Sequence, residues 1–169
     1  KNMIMTLVPD TYEERFGKVM HKSKELLTRY FIGVLIEMAI VMTIVSVGLS
    51  IVGIENAILI GFIAGLFNVI PYVGPIMGAL VGIIIGVSTN ADGLELLGML
   101  SLVGQMGIVF GIAQLLDNIV LQPYIYSQSV KAHPLEIFLI SLMAGNVAGI
   151  AGMILAVPTY SIGCVFVGE

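Results

Sequence analysis

The sequence predicts an all-α, polytopic membrane protein with two full spans and two Pro/Gly-broken, re-entrant helical hairpins. Three observations carry this. First, 58% of the 169 residues are hydrophobic and 11% are charged, where a soluble domain has about 45–50% and about 25%. Second, the charges are segregated: residues 1–29 hold six of the seven Lys/Arg, and residues 30–169 keep one Lys and seven acids. Third, two of the four apolar stretches have a length that fits neither one span nor two. So few charges cannot cover the surface of a soluble fold, and mean hydropathy is +1.06. An ordinary soluble enzyme, a nucleic-acid binder and a disordered tail are excluded.

Residues 10–29 read as an amphipathic helix. Tyr12, Phe16, Val19, Met20, Leu26, Leu27 and Tyr30 recur at helical spacing, and Arg15, Lys18, Lys22, Lys24 and Arg29 supply the polar side. Pro9 suits a helix start. Basic residues directly before a span place segment 1–29 on the cytoplasmic side; it is a helix feeding the span or a lipid-sensing element. The chain starts with Lys1 and shows no signal peptide. It is expected to be the C-terminal part of a longer polypeptide, although a trimmed chain would look the same.

Residues 30–53 form the first full span, matching the ~20 residues that cross ~30 Å of hydrocarbon. Residues 56–87 would make roughly 48 Å of helix, too long for one span, and halving them gives two that are too short. In their middle stand Pro71 and Pro75, each removing an amide donor and clashing with the preceding turn. Broken backbone at membrane depth is tolerated only inside protein or beside a water-filled cavity. Residues 88–93 read as a polar turn, with Asp92 and then Glu95. Residues 94–120 form the second full span, followed by a polar loop over 124–133. Residues 134–167 repeat the length problem, interrupted at Gly145-Asn146-Val147-Ala148-Gly149-Ile150-Ala151-Gly152, with Pro158 predicting a further kink.

The membrane core, residues 30–169, therefore reads as a span plus a broken stretch, twice. Asn68, Val69, Gly74 and Ile76 match Asn146, Val147, Gly152 and Ile154 in identical spacing; a true repeat and chance in a Gly/Val/Ile-rich chain both account for this. If each broken stretch is a hairpin returning to its own side, segment 1–29 is inside, Asp92 and Glu95 are outside, and Lys131 is inside again. The positive-inside rule prefers that arrangement. The two units then have inverted topology with broken helices in corresponding positions, where secondary transporters often bind substrate.

Charged groups inside a bilayer cost roughly 2.5–3.5 kcal/mol on insertion scales, so each needs a reason. Glu37, two turns into the first span, is either a proton or cation relay or a carboxylate reaching Arg29. Gly104, Gly107, Gly111, Gln114, Asn118 and Gln122 lie 3, 4, 3, 4 and 4 apart, on one helical face flanked by Asp117. That face is a helix–helix seam or the polar lining of a solute path. Asn68 and Asn146 cap broken backbone or coordinate solute, and Pro71 shapes the first break. His133-Pro134 reads as a loop end and helix start. Cys164 is the single cysteine, so no intrachain disulfide or cysteine cluster is expected. No nucleophile–base set, phosphate loop or metal motif appears, and neither catalysis nor a cofactor is expected.

Gly65-Leu66-Phe67-Asn68-Val69-Ile70-Pro71-Tyr72-Val73-Gly74-Pro75 resembles the first hallmark of the autoinducer-2 exporter family, the PerM-type permeases. Leu116-Asp117-Asn118-Ile119-Val120-Leu121-Gln122-Pro123 with Ser129-Val130-Lys131-Ala132-His133-Pro134 resembles the second, and Gly149-Ile150-Ala151-Gly152-Met153-Ile154-Leu155-Ala156-Val157-Pro158 the C-terminal block. Order and spacing agree from about Arg29 onward; Ala132 and Glu136 depart where more apolar or Gly-like residues are expected. The resemblance implies an inner-membrane protein of seven or eight spans that exports autoinducer-2-like molecules or exchanges sodium or lithium for protons. It brings no catalytic residues. The sites expected for the transport pathway or coupling are therefore Glu37, Asn68, Pro71, Gln114, Asp117, Asn118, Gln122 and Asn146, read from the residues themselves. The expected partners are the lipid bilayer, a small-molecule or ion substrate and further copies of the chain, with a passive channel or oligomeric scaffold as the alternative class.

Overall fold

The computed structural model describes residues 10–91, 93–123 and 134–167, with side chains at 21, 23–91, 93–123 and 135–163. Most of the basic face of segment 1–29, Asp92, and the 124–133 loop with Lys131 and His133 lie outside the described side chains.

Helix α1, Asp10–Val52, is one uninterrupted element of 43 residues. The amphipathic segment and the first span, which the sequence reading separates, are therefore continuous. No proline falls between Pro9 and Pro71, so nothing forces the backbone to break. The buried stripe of α1 runs Tyr30, Val34, Glu37, Val41, Val45 and Leu49, a spacing of three and four that keeps one face inward.

At Gly53 (φ 83°) and Asn56 (φ 60°) the chain reverses into α2, Ala57–Phe67. At 11 residues and about 1.5 Å each, α2 spans roughly 16 Å, half a bilayer. It runs back down α1, with Gly61 against Ser46 and Met42 and Gly65 against Met38 and Met42. After the break at 68–72 comes α3, Val73–Asn90. Its buried Gly74, Gly78, Gly82 and Gly86 recur every fourth residue, and they meet Phe67, Ala64 and Ile60 in reverse order along α2. The two helices are thus an antiparallel hairpin. Its open end is tied where the Glu55 backbone N–H donates to Asn90 Oδ1 at 2.8 Å.

The polar turn read at 88–93 begins later than expected. Ser88 and Thr89 are still helical, their hydroxyls donating to the Ile84 and Ile85 carbonyls four residues back. Helix α4, Leu96–Leu116, continues into a π-helical turn, Asp117–Leu121. It packs antiparallel to α3, with Phe110 against Gly82 and Met106 against Gly86, while Val109 meets Gly48 of α1. The main apolar core joins α1, α2 and α4 around Val45, Leu49, Ile60, Met106 and Ala113.

Helix α5, Pro134–Val167, leaves helical geometry at Ala148 (φ −130°, ψ 16°) and Gly149 (φ 61°, ψ −144°). The backbone values at Gly149 belong to a region that essentially only glycine occupies. Here the chain folds back on itself. Tyr160 Oη donates to Glu136 Oε2 at 3.0 Å, although 24 residues of straight helix would separate them by about 36 Å. Gly152 likewise lies against Ala144, and Gly145 against Met153. The break sits inside the stretch that the sequence indicates, at Ala148 and Gly149, and Pro158 lies within the helical second arm.

Among the described residues, four helices are long and apolar enough to cross a membrane, Ser23–Val52, Val73–Asn90, Leu96–Leu121 and Leu135–Gly163, and the last of these is a folded hairpin. The chain is a multi-pass membrane protein. The order long helix, then hairpin, occurs twice, and α1 and α4 run antiparallel. Spin labels at Leu139→Cys and Thr159→Cys, with Cys164→Ala, test the second hairpin. Folded arms give a distance under about 20 Å by pulsed EPR, and a straight helix about 30 Å.

Candidate functional site

The buried face of α1 places a carboxylate, Glu37, among Val34, Val41 and Val45, with 3% of its surface exposed. It lies about 10 Å along the helix from Tyr30. The hairpin break between α2 and α3 delivers Asn68 to the same depth, because α2 descends α1 until Gly65 meets Met38. The Asn68 backbone N–H closes the last turn of α2 onto Ala64 and Gly65, which leaves its side chain for the interior. Helix α4 delivers Asp117, 1% exposed, at the first residue of the π turn. Single π turns are often found at functional sites.

These three groups meet. Asn68 Nδ2 donates to Glu37 Oε1 at 3.3 Å and to Asp117 Oδ1 at 3.5 Å. Gln122 Nε2 donates to Asp117 Oδ2 at 2.8 Å, from five residues on, as the wider π turn allows. The Asn68 amide thus joins the carboxyl groups of Glu37 and Asp117. Arg29, the basic partner considered for Glu37, pairs instead with Glu25. Among the described residues neither buried acid has a basic partner, so the pair requires a compensating positive charge, a proton or a cation. No group of three or more His, Cys, Asp or Glu occurs there.

A cavity of about 420 Å³ opens from this cluster between α3 and α4. Asn68, Asp117 and Gln114 form its polar end, and Val41, Val45, Ala64, Ala79, Ile76 and Phe110 are among its apolar walls. Tyr72, at the hairpin tip, also lines it with a positive φ of 63°. A non-glycine residue there stores strain of about 1–3 kcal/mol. Its ring packs edge-on against Phe138 of α5, centroids 5.8 Å apart. Tyr30, Val34, Ile137 and Val157 complete this junction between α1 and α5.

Of the residues expected from the sequence, the structure brings Glu37, Asn68, Asp117 and Gln122 into one hydrogen-bonded cluster. Pro71 is buried in the adjoining tip. Gln114 Nε2 donates to Asn118 Oδ1 at 3.1 Å on the flank of α4. Asn146 is not part of the cluster; it is exposed and donates to the Leu142 carbonyl. Gly104, Gly107 and Gly111 face open space, so they form no seam within the described residues. Sequence reasoning missed Tyr72 and Phe110. The signal for Phe110 was its spacing of four and seven from Gln114 and Asp117, which puts all three on one face; Tyr72 had none beyond its place between two prolines.

The profile of the AI-2E family transporters matches residues 1–169. The chain is 33% identical over 162 residues to "Putative transport protein YueF" of Bacillus subtilis (strain 168), covering 95% of this chain and 41% of that protein. It is 31% identical over 162 residues to "Putative transport protein YrrI" of the same organism, covering 96% and 43%. A "Putative transport protein" of Methanothermobacter thermautotrophicus is 29% identical over 150 residues, covering 88% and 42%. The chain thus spans less than half the length of these relatives. No solved structure matches it.

Proposed function

This chain belongs to the AI-2E transporter family, and on that premise we propose that it forms the ion-coupled core of a secondary transporter exporting a small solute. The observation that carries the reading is the buried Glu37–Asn68–Asp117 cluster at the mouth of the cavity. Two acids without a basic partner bind a proton or cation on one side and release it on the other. Asn68 reports that change to the hairpin, because its amide bonds both carboxyl groups. The α2–α3 hairpin is half a bilayer deep in its first arm, which supports re-entry with its tip inside the membrane. Autoinducer-2-like furanones are the solute that the family resemblance favours, and export proceeds across the inner membrane with segment 1–29 in the cytoplasm. The open glycine face of α4 leaves room for a neighbouring helix, in keeping with a homo-oligomer.

Sodium or lithium exchange for protons is the second reading, favoured by the two acids themselves, since a neutral furanone needs little intramembrane charge. The test uses the intact protein in liposomes under a pH gradient, then a sodium gradient, with internal pH recorded with and without furanone. The export reading expects furanone flux that follows the pH gradient. Proton movement driven by sodium alone makes exchange the primary activity. Furanone flux indifferent to both gradients identifies a passive channel, and no movement at all leaves a scaffold.

A further inference from the structure

We propose that the cavity at the hairpin tip takes small organic cations, an ammonium head on an apolar body, in exchange for protons. The inference rests on the cavity being the transport site and names the class of solute it fits.

Its lining is divided. One end carries Asp117, Asn68 and Gln114, and the body is walled by aliphatic side chains with Phe110 and Tyr72. A volume of about 420 Å³ falls in the usual range for small-molecule sites, about 300–1,000 Å³. A bare metal ion has no use for the apolar body. A neutral solute such as a furanone hydrogen-bonds at the polar end only, and the acid pair then keeps a proton or metal ion for compensation. An organic cation satisfies both halves: its head neutralises the acid end and its body fills the apolar end, where Phe110 can pack against it.

The same geometry supplies the exchange. Asp117, which lines the cavity and is tied to Glu37 through the Asn68 amide, holds a proton or the cation head, so arrival of the cation releases a proton and the charge of the site stays constant. Among the described residues, the other titratable groups nearby are Tyr30, two turns before Glu37 on α1 and donating to the Ile154 carbonyl of α5, and Tyr72 at the hairpin tip. Helix α5 meets this region through Phe138 and Ile137, which carry no charge.

The test is uptake of radiolabelled benzyltrimethylammonium by liposomes containing the intact protein. This probe is permanently charged and carries one ring. With the interior one pH unit more acid, one-for-one exchange allows accumulation of up to about tenfold, lost when the gradient is dissipated. Phe110→Ala is expected to raise the half-saturating concentration of benzyltrimethylammonium roughly tenfold through lost packing against its ring and to leave that of tetramethylammonium, which has no ring, much less changed. Suppose the protein moves furanone or exchanges sodium for protons while benzyltrimethylammonium neither accumulates nor competes. The solute class is then wrong and the transport reading stands. If no solute and no proton moves, both fall. An equal loss for the two ammonium probes in Phe110→Ala, with unchanged elution of the purified protein, overturns the role given to the apolar wall.

Discussion

Asp117→Asn in the intact protein is expected to lower ion-coupled transport by roughly 100-fold or more, about 2.7 kcal/mol on the limiting barrier, while the protein folds normally. Asparagine has nearly the shape of aspartate, and its side-chain oxygen can still accept from Gln122, which now donates to Oδ2 at 2.8 Å. What disappears is the capacity to alternate between a charged and a neutral form. The buried cluster then holds one acid, Glu37, in place of two. The measurement is solute flux in liposomes under a pH gradient, beside the melting temperature of the purified variant. Unchanged flux and unchanged ion dependence, with normal expression, would remove Asp117 from the coupling site. Glu37→Gln is expected to act in the same direction, because its Oε1 accepts from the same Asn68 amide.

Gly74→Val is expected to cost stability and activity together. Gly74 is buried at the start of α3, its N–H donates to the Ile70 carbonyl at 2.9 Å, and a Cβ there would run into the Phe67 carbonyl. The obstacle is main chain, so relief requires opening the hairpin tip. Overpacking typically costs about 1–3 kcal/mol, and backbone displacement adds to it. Opening the tip also moves Asn68, so transport should fall beyond what the loss of folded protein explains. Gly104→Ala is the control. It faces open space within a helix, where alanine is favoured over glycine by up to about 1 kcal/mol. A Gly74→Val protein with normal melting and normal flux would show that the tip does not need this close approach.

Much of the architecture was legible because its signals are local. Proline and glycine act on the backbone beside them, so the breaks near Pro71 and Gly149 could be read without knowing any neighbour. Hydropathy and length marked the two stretches that could be neither one span nor two. The polar residues were also visible individually: Glu37 stood out by its cost in the bilayer, and Asp117 by its place beside the Gly/Gln face. Where local signals were absent, the reading missed. Nothing in the sequence marked the helical state of Ser88 and Thr89 or the π turn at Asp117.

Sequence alone determined that the chain is a helical membrane protein, where its helices break, and which polar side chains need an explanation, because each follows from transfer energies and backbone sterics within a few residues. Tertiary structure decided which of those side chains form a site. Asn68 reaches Glu37 across 31 residues and Asp117 across 49, and Asn146, its look-alike in the second break, reaches neither. That difference depends on how deep each hairpin packs and which way its tip turns. In a membrane, where lipid tails are as apolar as leucine, that depth is set by close contacts such as Gly65 on Met38 and Gly78 on Ala64.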